Sequence, residues 1–96
     1  MQKIALEEHF LTPSLVEHWR TTAINISADL GDKALGALTD FGARRLEAMD
    51  KNGIAYAVLS ISGPGVQVEH DAAKAVRLAR EANDVLAIEI RKNSSR

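Results

Sequence analysis

Cysteine is absent from this chain of 96 residues, and aromatic side chains are scarce. Without thiols, disulfide bridges and thiolate metal sites are excluded, which is typical of a protein in a reducing compartment. With only two Phe, one Trp and one Tyr, a core must be built from Ala, Leu, Ile and Val. No apolar run approaches the roughly 18 residues of a membrane span, and no basic segment followed by a long apolar run marks a secretory signal. We therefore expect a cytoplasmic protein.

An excess of charge of either sign is also missing. Twelve Lys and Arg residues stand against thirteen Asp and Glu residues, which gives a formal net charge of -1. Such a balance provides no electrostatic footprint for nucleic acid or for an anionic membrane. We therefore expect neither as a partner. The hydrophobic fraction of 46% is ordinary for a globular chain, and the length fits one small domain.

What is present is an alternation of apolar runs and helical patterns, which predicts an α/β chain. The second apolar run lacks alternation, as in a parallel strand covered on both faces. Apolar spacing of three and four residues predicts the helices. The predicted elements in chain order are a strand over residues 3–9, helices over 14–20 and 34–52, a strand over 54–61 and a helix over 71–91, with loops over 21–33 and 62–70.

Alternating strands and helices favour right-handed crossovers and a parallel sheet. Two strands that are both of the buried type cannot form a stable sheet alone, and a parallel barrel needs roughly 200 residues or more. We therefore interpret residues 1–96 as the N-terminal portion of a (β/α)8 TIM-type barrel, incomplete in this chain. Because its strand edges would be unpaired, we expect the isolated chain to self-associate.

Three polar side chains end the first predicted strand. Residues i and i+2 of a strand project to one face, so Glu7 and His9 should lie on one side. Glu8 should point the other way, where it would pair with a cation or cap a helix. A carboxylate and an imidazole directed at one point suit a divalent metal. On the pattern alone, the alternative that Glu7 and His9 are simply polar residues leaving a strand stays open.

Other polar residues are expected to have structural roles. His18 is predicted to lie on the surface of the first helix, and His70 to be exposed or to cap the last helix. In the last helix, Asn83 falls on the predicted apolar side and is expected to be a buried amide. The residues predicted to line that side are Ala72, Val76, Ala79, Asn83, Leu86 and Ile90.

Four segments, in order and spread over nearly the whole chain, share a pattern with a known family. They are residues 1–10, 45–54, 58–67 and 79–86. The first resembles the opening of the amidohydrolase-superfamily decarboxylases, of the γ-resorcylate (2,6-dihydroxybenzoate) and 2,3-dihydroxybenzoate decarboxylase type. The second resembles that family's R-L-x-x-M-D-x-x-G-I passage, the third its second strand and following loop, and the fourth its A-x-x-A-N-D-x-L helix.

The resemblance implies a metal-dependent enzyme whose site is shared among many strands. Glu7 and His9 match the family's first-strand ligands for one divalent ion, zinc or manganese. The remaining ligands and the catalytic residues are expected on later strands, so none of the catalytic residues lies in this chain. The implied activity is non-oxidative decarboxylation of a hydroxylated aromatic acid, the small-molecule partner, by an intact enzyme that is a homo-oligomer. The isolated chain should show no turnover because half or more of the metal shell is missing.

Three residues are candidates for substrate binding. Phe10 would either pack above the metal as part of a pocket or belong to the core. Ser62 and Gly63 follow the second strand and would face the barrel mouth, where glycine permits close approach of the backbone. An ordinary turn is the alternative for this loop.

Two other functions stay open at this point. A hydrolase of the same superfamily, acting on a lactone, amide or ester, would use the same first-strand ligands. A non-catalytic interaction module derived from the barrel N-terminus would fold without tight metal binding.

Overall fold

Two parallel strands joined by helices form the frame of the molecule. The computed structural model describes residues 1–21 and 25–95. The strands pair in parallel in a two-stranded sheet, which confirms the predicted α/β class. The elements in chain order are β1 (Lys3–Phe10), a 3-10 turn (Pro13–Leu15), α1 (Val16–Arg20), α2 (Ala28–Thr39), α3 (Ala43–Lys51), β2 (Ile54–Ile61), a second 3-10 turn (Gly65–Val68) and α4 (Ala72–Lys92).

The first strand carries a bulge in its middle. Ala5 pairs with Ala57 and Glu8 pairs with Leu59, so three steps along β1 face two steps along β2. Glu7, inside the longer stretch, has a φ of 57°, in the left-handed region that is uncommon for residues other than glycine. A bulge bends the strand and redirects the side chains that follow.

The two faces of the sheet differ in exposure. On β2, Ala57, Leu59 and Ile61 are half-buried, and α3 packs against this strand. The alternate residues Tyr56, Val58 and Ser60 are exposed. Because paired residues share a face, Ile4 and His9 join the exposed set through their partners Tyr56 and Ser60. We call the face formed by Ile4, His9, Tyr56, Val58 and Ser60 the open face, and the opposite one the covered face.

The buried cluster lies where the segment after β1 meets α4. Burial of such apolar side chains supplies most of the stabilisation of a fold. Partly buried residues from α2, β2 and the second 3-10 turn pack around the cluster. Its buried members are Leu11, Leu15, Trp19, Leu78 and Ala82.

The helix predicted over residues 34–52 is wrong in one respect, because it is two helices. The chain leaves the helical conformation at Asp40, whose carboxylate accepts a hydrogen bond from the N–H of Gly42 at 2.7 Å. Phe41, between the two helices, turns its ring towards Phe10, at 5.4 Å between centroids. A local side chain–backbone bond and an aromatic contact therefore interrupt a pattern that is helical on both sides.

The loops are also shorter than predicted. α2 begins within the stretch predicted as a loop over 21–33, because Ser27 caps it by accepting a hydrogen bond from the N–H of Leu30 at 3.3 Å. Residues 22–24 of that predicted loop lie outside the described part of the chain. The second predicted loop contains the 3-10 turn Gly65–Val68. No helix in the described ranges is long and apolar enough to cross a membrane.

The predicted apolar side of α4 is only partly correct. Leu78 and Ala82 are the buried residues of this helix, whereas Val76, Asn83 and Ile90 are exposed. The expectation of a buried Asn83 amide is therefore wrong. The helix rotates Leu78 and Ala82 inward because they meet the cluster formed by Leu11, Leu15 and Trp19.

Candidate metal centre

The sequence-predicted ligand pair lies at the C-terminal end of β1, and both side chains are exposed. His9 pairs with Ser60 on the open face. Glu8 pairs with Leu59 on the covered face, whereas Glu7 lies inside the bulge, where its positive φ departs from the regular alternation of a strand. Ala5 and His9 are four positions apart, so regular alternation would place them on the same side of the sheet, yet they lie on opposite sides. The bulge therefore places His9 on the open face, and the convergence of Glu7 and His9 on one point stays a prediction.

His9 is held at its ring and at its backbone. Its Nδ1 lies 3.0 Å from the hydroxyl oxygen of Ser60, and its carbonyl oxygen accepts a hydrogen bond from Nη2 of Arg45 at 2.9 Å. Sequence reasoning identified neither partner, because Ser60 is 51 residues away and Arg45 is 36 residues away along the chain. The position of Ser60 near the end of the second predicted strand was the one feature of the sequence that could have identified it as a partner of His9.

Arg45 connects β1 to the end of α2. Its Nε donates to the carbonyl of Asp40 at 2.8 Å, and its Nη2 donates to the carbonyl of Ala37 at 3.3 Å as well as to that of His9. The guanidinium also lies over the ring of Phe41, 5.7 Å from its centroid. The pKa of Arg45 is lowered by burial, which the nearby carboxylates of Glu8 and Asp40 oppose. Glu8, on the covered face, is thus near enough to influence this cation, and its pairing with a cation stays a prediction.

The chemistry of Glu7 and His9 fits a divalent ion such as zinc or manganese. A carboxylate oxygen and an imidazole nitrogen are ordinary ligands of both ions, and the contact of Nδ1 with Ser60 leaves Nε2 of His9 available. Among residues 1–21 and 25–95, no group of three His, Cys, Asp or Glu side chains could hold a metal ion. The described residues therefore offer two ligands, and the assignment of Glu7 and His9 stays a prediction.

The three candidate substrate residues lie in different surroundings. Phe10 is 1% exposed and packs on Phe41, so the structure favours core packing over a pocket wall for this residue. Ser62 is half-buried, and its N–H donates to the carbonyl of Phe10 at 2.9 Å, which joins the ends of the two strands. Gly63 is exposed, and a side chain at its position would meet nothing within 4 Å. A role of Ser62 and Gly63 in substrate binding stays a prediction.

The other two histidines lie away from this pair in sequence. His70 is exposed, as predicted. His18, predicted to lie on the surface, has a side chain only 14% exposed, and its Nε2 lies 3.1 Å from Oε2 of Glu69. The pKa of Glu69 is lowered to about 2, first by the backbone N–H of Asp71, then by His18 and by Lys74. This cluster joins α1 to the start of α4.

Two parallel strands joined by a helical crossover, with polar side chains at the C-terminal end of the first strand, match the beginning of a β/α barrel. Comparison with curated proteins agrees. The chain is 39% identical over 94 residues to the gamma-resorcylate decarboxylase of Rhizobium sp. strain MTP-10005. The alignment covers 98% of this chain and 28% of the relative. No protein-family model matches the chain.

Solved structures give the same result. A 2,6-dihydroxybenzoate decarboxylase in complex with 2,6-dihydroxybenzoate matches with a TM-score of 0.90 and 40% identity, over 100% of this chain and 29% of that one. A dihydroxybenzoic acid decarboxylase from Polaromonas sp. JS666, with bound manganese and the inhibitor 2-nitroresorcinol, matches with a TM-score of 0.89 and 35% identity, over 99% of this chain and 28% of that one. These matches confirm the resemblance to amidohydrolase-type decarboxylases. The chain spans little more than a quarter of their length.

Proposed function

We propose that this chain supplies the first-strand part of the metal site of a decarboxylase that acts on a hydroxylated aromatic acid. The observation that carries the proposal is the identity of 39% to a gamma-resorcylate decarboxylase along 98% of the chain, combined with the position of Glu7 and His9. Both residues belong to the C-terminal half of β1, whose end is the end of a barrel strand where active sites form, and His9 lies on the open face.

Each residue of the site has a distinct part in this proposal. Glu7 would contribute a carboxylate oxygen and His9 its Nε2 to one divalent ion, zinc or manganese. When bound, the ion supplies positive charge that holds and polarises the oxygens of the acid substrate. Ser62 keeps the loop after β2 next to the end of β1 through its bond to Phe10. We propose that Gly63, the next residue, then lies at the edge where a substrate would enter. The cytoplasmic location stays a prediction from composition.

A chimeric enzyme tests the activity. The 96 residues replace the matching segment of the Rhizobium decarboxylase, and carbon dioxide release from 2,6-dihydroxybenzoate is measured with added zinc or manganese. We expect turnover from the chimera and a loss of at least about a hundredfold in kcat/KM for Glu7→Gln and His9→Gln, because each removes a ligand of the ion that stabilises the developing charge. Glu8→Gln is the matched control, since this carboxylate lies on the covered face.

Two results would contradict the proposal. If Glu7→Gln and Glu8→Gln lower the activity of a folded chimera equally, the assignment of the ligand is wrong. If the chimera hydrolyses lactones or esters and releases no carbon dioxide, the chain belongs to a hydrolase site. The chain alone should give no turnover with either class of substrate.

A further inference from the structure

The imidazole of His9 is restrained more than an exposed side chain at a strand end needs to be. Ser60 contacts its Nδ1 at 3.0 Å, and Arg45 fixes the carbonyl of the same residue at 2.9 Å. The ladder itself pairs His9 with Ser60. Backbone and ring are therefore both positioned from the neighbouring elements, the ring by β2 and the backbone by α3.

The contact at Nδ1 has a chemical consequence. A neutral imidazole carries a proton on one ring nitrogen and a free lone pair on the other. The hydrogen bond that one nitrogen makes determines which of the two carries the proton. The hydroxyl oxygen of Ser60 can accept the Nδ1–H bond, which leaves the lone pair on Nε2. Histidines that bind metals commonly donate their other ring N–H to such an acceptor, which fixes the tautomer and the ring orientation.

We propose that Ser60 is a positioning residue for His9: it accepts the Nδ1–H bond and thereby presents the Nε2 lone pair on the open face for a divalent ion. This inference rests on the proposed function for the identity of the ligand, but the tautomer that it assigns exists without any metal. Ser60 is well placed for this role because it is exposed on the open face, so its hydroxyl is not used in packing the core.

Ser62, two residues further along the chain, makes a different contact. The N–H of Ser62 is already bonded to the carbonyl of Phe10. Tyr56, on the same face as Ser60, carries another hydroxyl but pairs with Ile4, towards the opposite end of the strand. Tyr56→Phe therefore removes a hydroxyl from the same face of the same strand without touching the contact with His9, which makes it a matched control.

Nitrogen-15 NMR of the histidine-labelled 96-residue chain tests the proposal at a pH where the imidazoles are neutral. We expect His9 to be mainly in the Nδ1–H form in the wild type and in Tyr56→Phe. In Ser60→Ala the Nδ1–H fraction should fall, and Ser60→Thr should restore it because threonine keeps the hydroxyl and suits a strand. In a Zn²⁺ titration followed at the His9 ring, Ser60→Ala should weaken binding by about tenfold.

The outcomes separate this inference from the proposed function. A His9 ring in the Nε2–H form in the wild type, or one unaffected by Ser60→Ala, overturns the role of Ser60. An effect of Tyr56→Phe equal to that of Ser60→Ala also overturns it. If Glu7→Gln and His9→Gln leave the chimeric enzyme fully active while the tautomer depends on Ser60 as expected, the metal site of the proposed function fails and the orientation of the ring by Ser60 is supported.

Discussion

Among single residues, Arg45 ties β1 to the end of α2, because its side chain donates hydrogen bonds to the carbonyls of His9, Ala37, Leu38 and Asp40. Replacement by alanine would leave the carbonyls of His9, Asp40 and Ala37 without their donor. We expect Arg45→Ala to lower the free energy of unfolding by about 2 kcal/mol, because bonds to a charged donor are lost in a half-buried place. Urea unfolding measures the change, and the exposed neighbour provides the control: Arg44→Ala should change stability by no more than about 0.5 kcal/mol. Equal effects would contradict the role assigned to Arg45.

Glu69 should make the stability of the chain depend on pH in acid. Its pKa in the folded state is lowered from 4.5 to about 2, so the contribution of its charged form is complete above about pH 4.5 and disappears as the pH falls towards 2. Wild type should therefore exceed Glu69→Gln in stability at pH 5.5, and the difference should shrink at pH 4 and again at pH 3. Urea unfolding at these values tests it, with the exposed Glu81→Gln as control. A difference that stays constant with pH would contradict the prediction.

At the level of single residues, the sequence predicted the candidate ligands but not the residues that hold His9. The strand-end positions of Glu7 and His9 follow from local pattern. Ser60 and Arg45 were missed because their contacts join residues that only the three-dimensional register brings together. His18 was misplaced for the same reason, since its partner Glu69 belongs to a distant turn.

Among the elements, α4 was predicted correctly as a helix, but the side of it that is buried was predicted wrongly. Leu78 is 5% exposed and Val76 is 51% exposed, although the apolar spacing favoured Val76. We expect Leu78→Ala to lower the free energy of unfolding by about 2–4 kcal/mol, because it leaves a cavity in the cluster. Val76→Ala should cost no more than about 0.5 kcal/mol. Chemical denaturation of both variants tests the assignment, and a larger loss for Val76→Ala would show that the predicted face is the correct one.

Helix boundaries were harder to predict than the helices themselves. The hydrophobic pattern continues through residues 34–52, and only the hydrogen bond from Gly42 to Asp40 and the tilted contact between the rings of Phe41 and Phe10 reveal the break between the two helices. Both strands and the long last helix were predicted within one residue at each end, because runs of apolar residues and an Asp71 cap mark them locally. The other element boundaries depend on tertiary contacts that the local sequence does not reveal.

For the whole molecule, the open face is the feature that should govern behaviour in solution. Ile4 is 64% exposed, Val58 55% and Tyr56 49%, on a sheet of two strands in the described part of the chain. Exposed apolar surface beside unpaired strand edges promotes association. We expect the chain to self-associate with increasing concentration and Ile4→Lys to reduce this. Sedimentation velocity measures it, and Val76→Lys, which adds the same charge on α4, should have little effect. Association unchanged by Ile4→Lys would exclude the open face as its cause.

The bulge in β1 makes residue count as important as residue identity in the opening strand. If the ladder ran without it, His9 would fall opposite Ile61 and Glu7 opposite Leu59, and both would turn beneath the helices. Removing Leu6 would cancel the extra step and return His9 to its place opposite Ser60 on the open face. A homologue one residue shorter at this point can therefore keep the same position of this histidine, whereas a point substitution that merely straightened the strand would lose it.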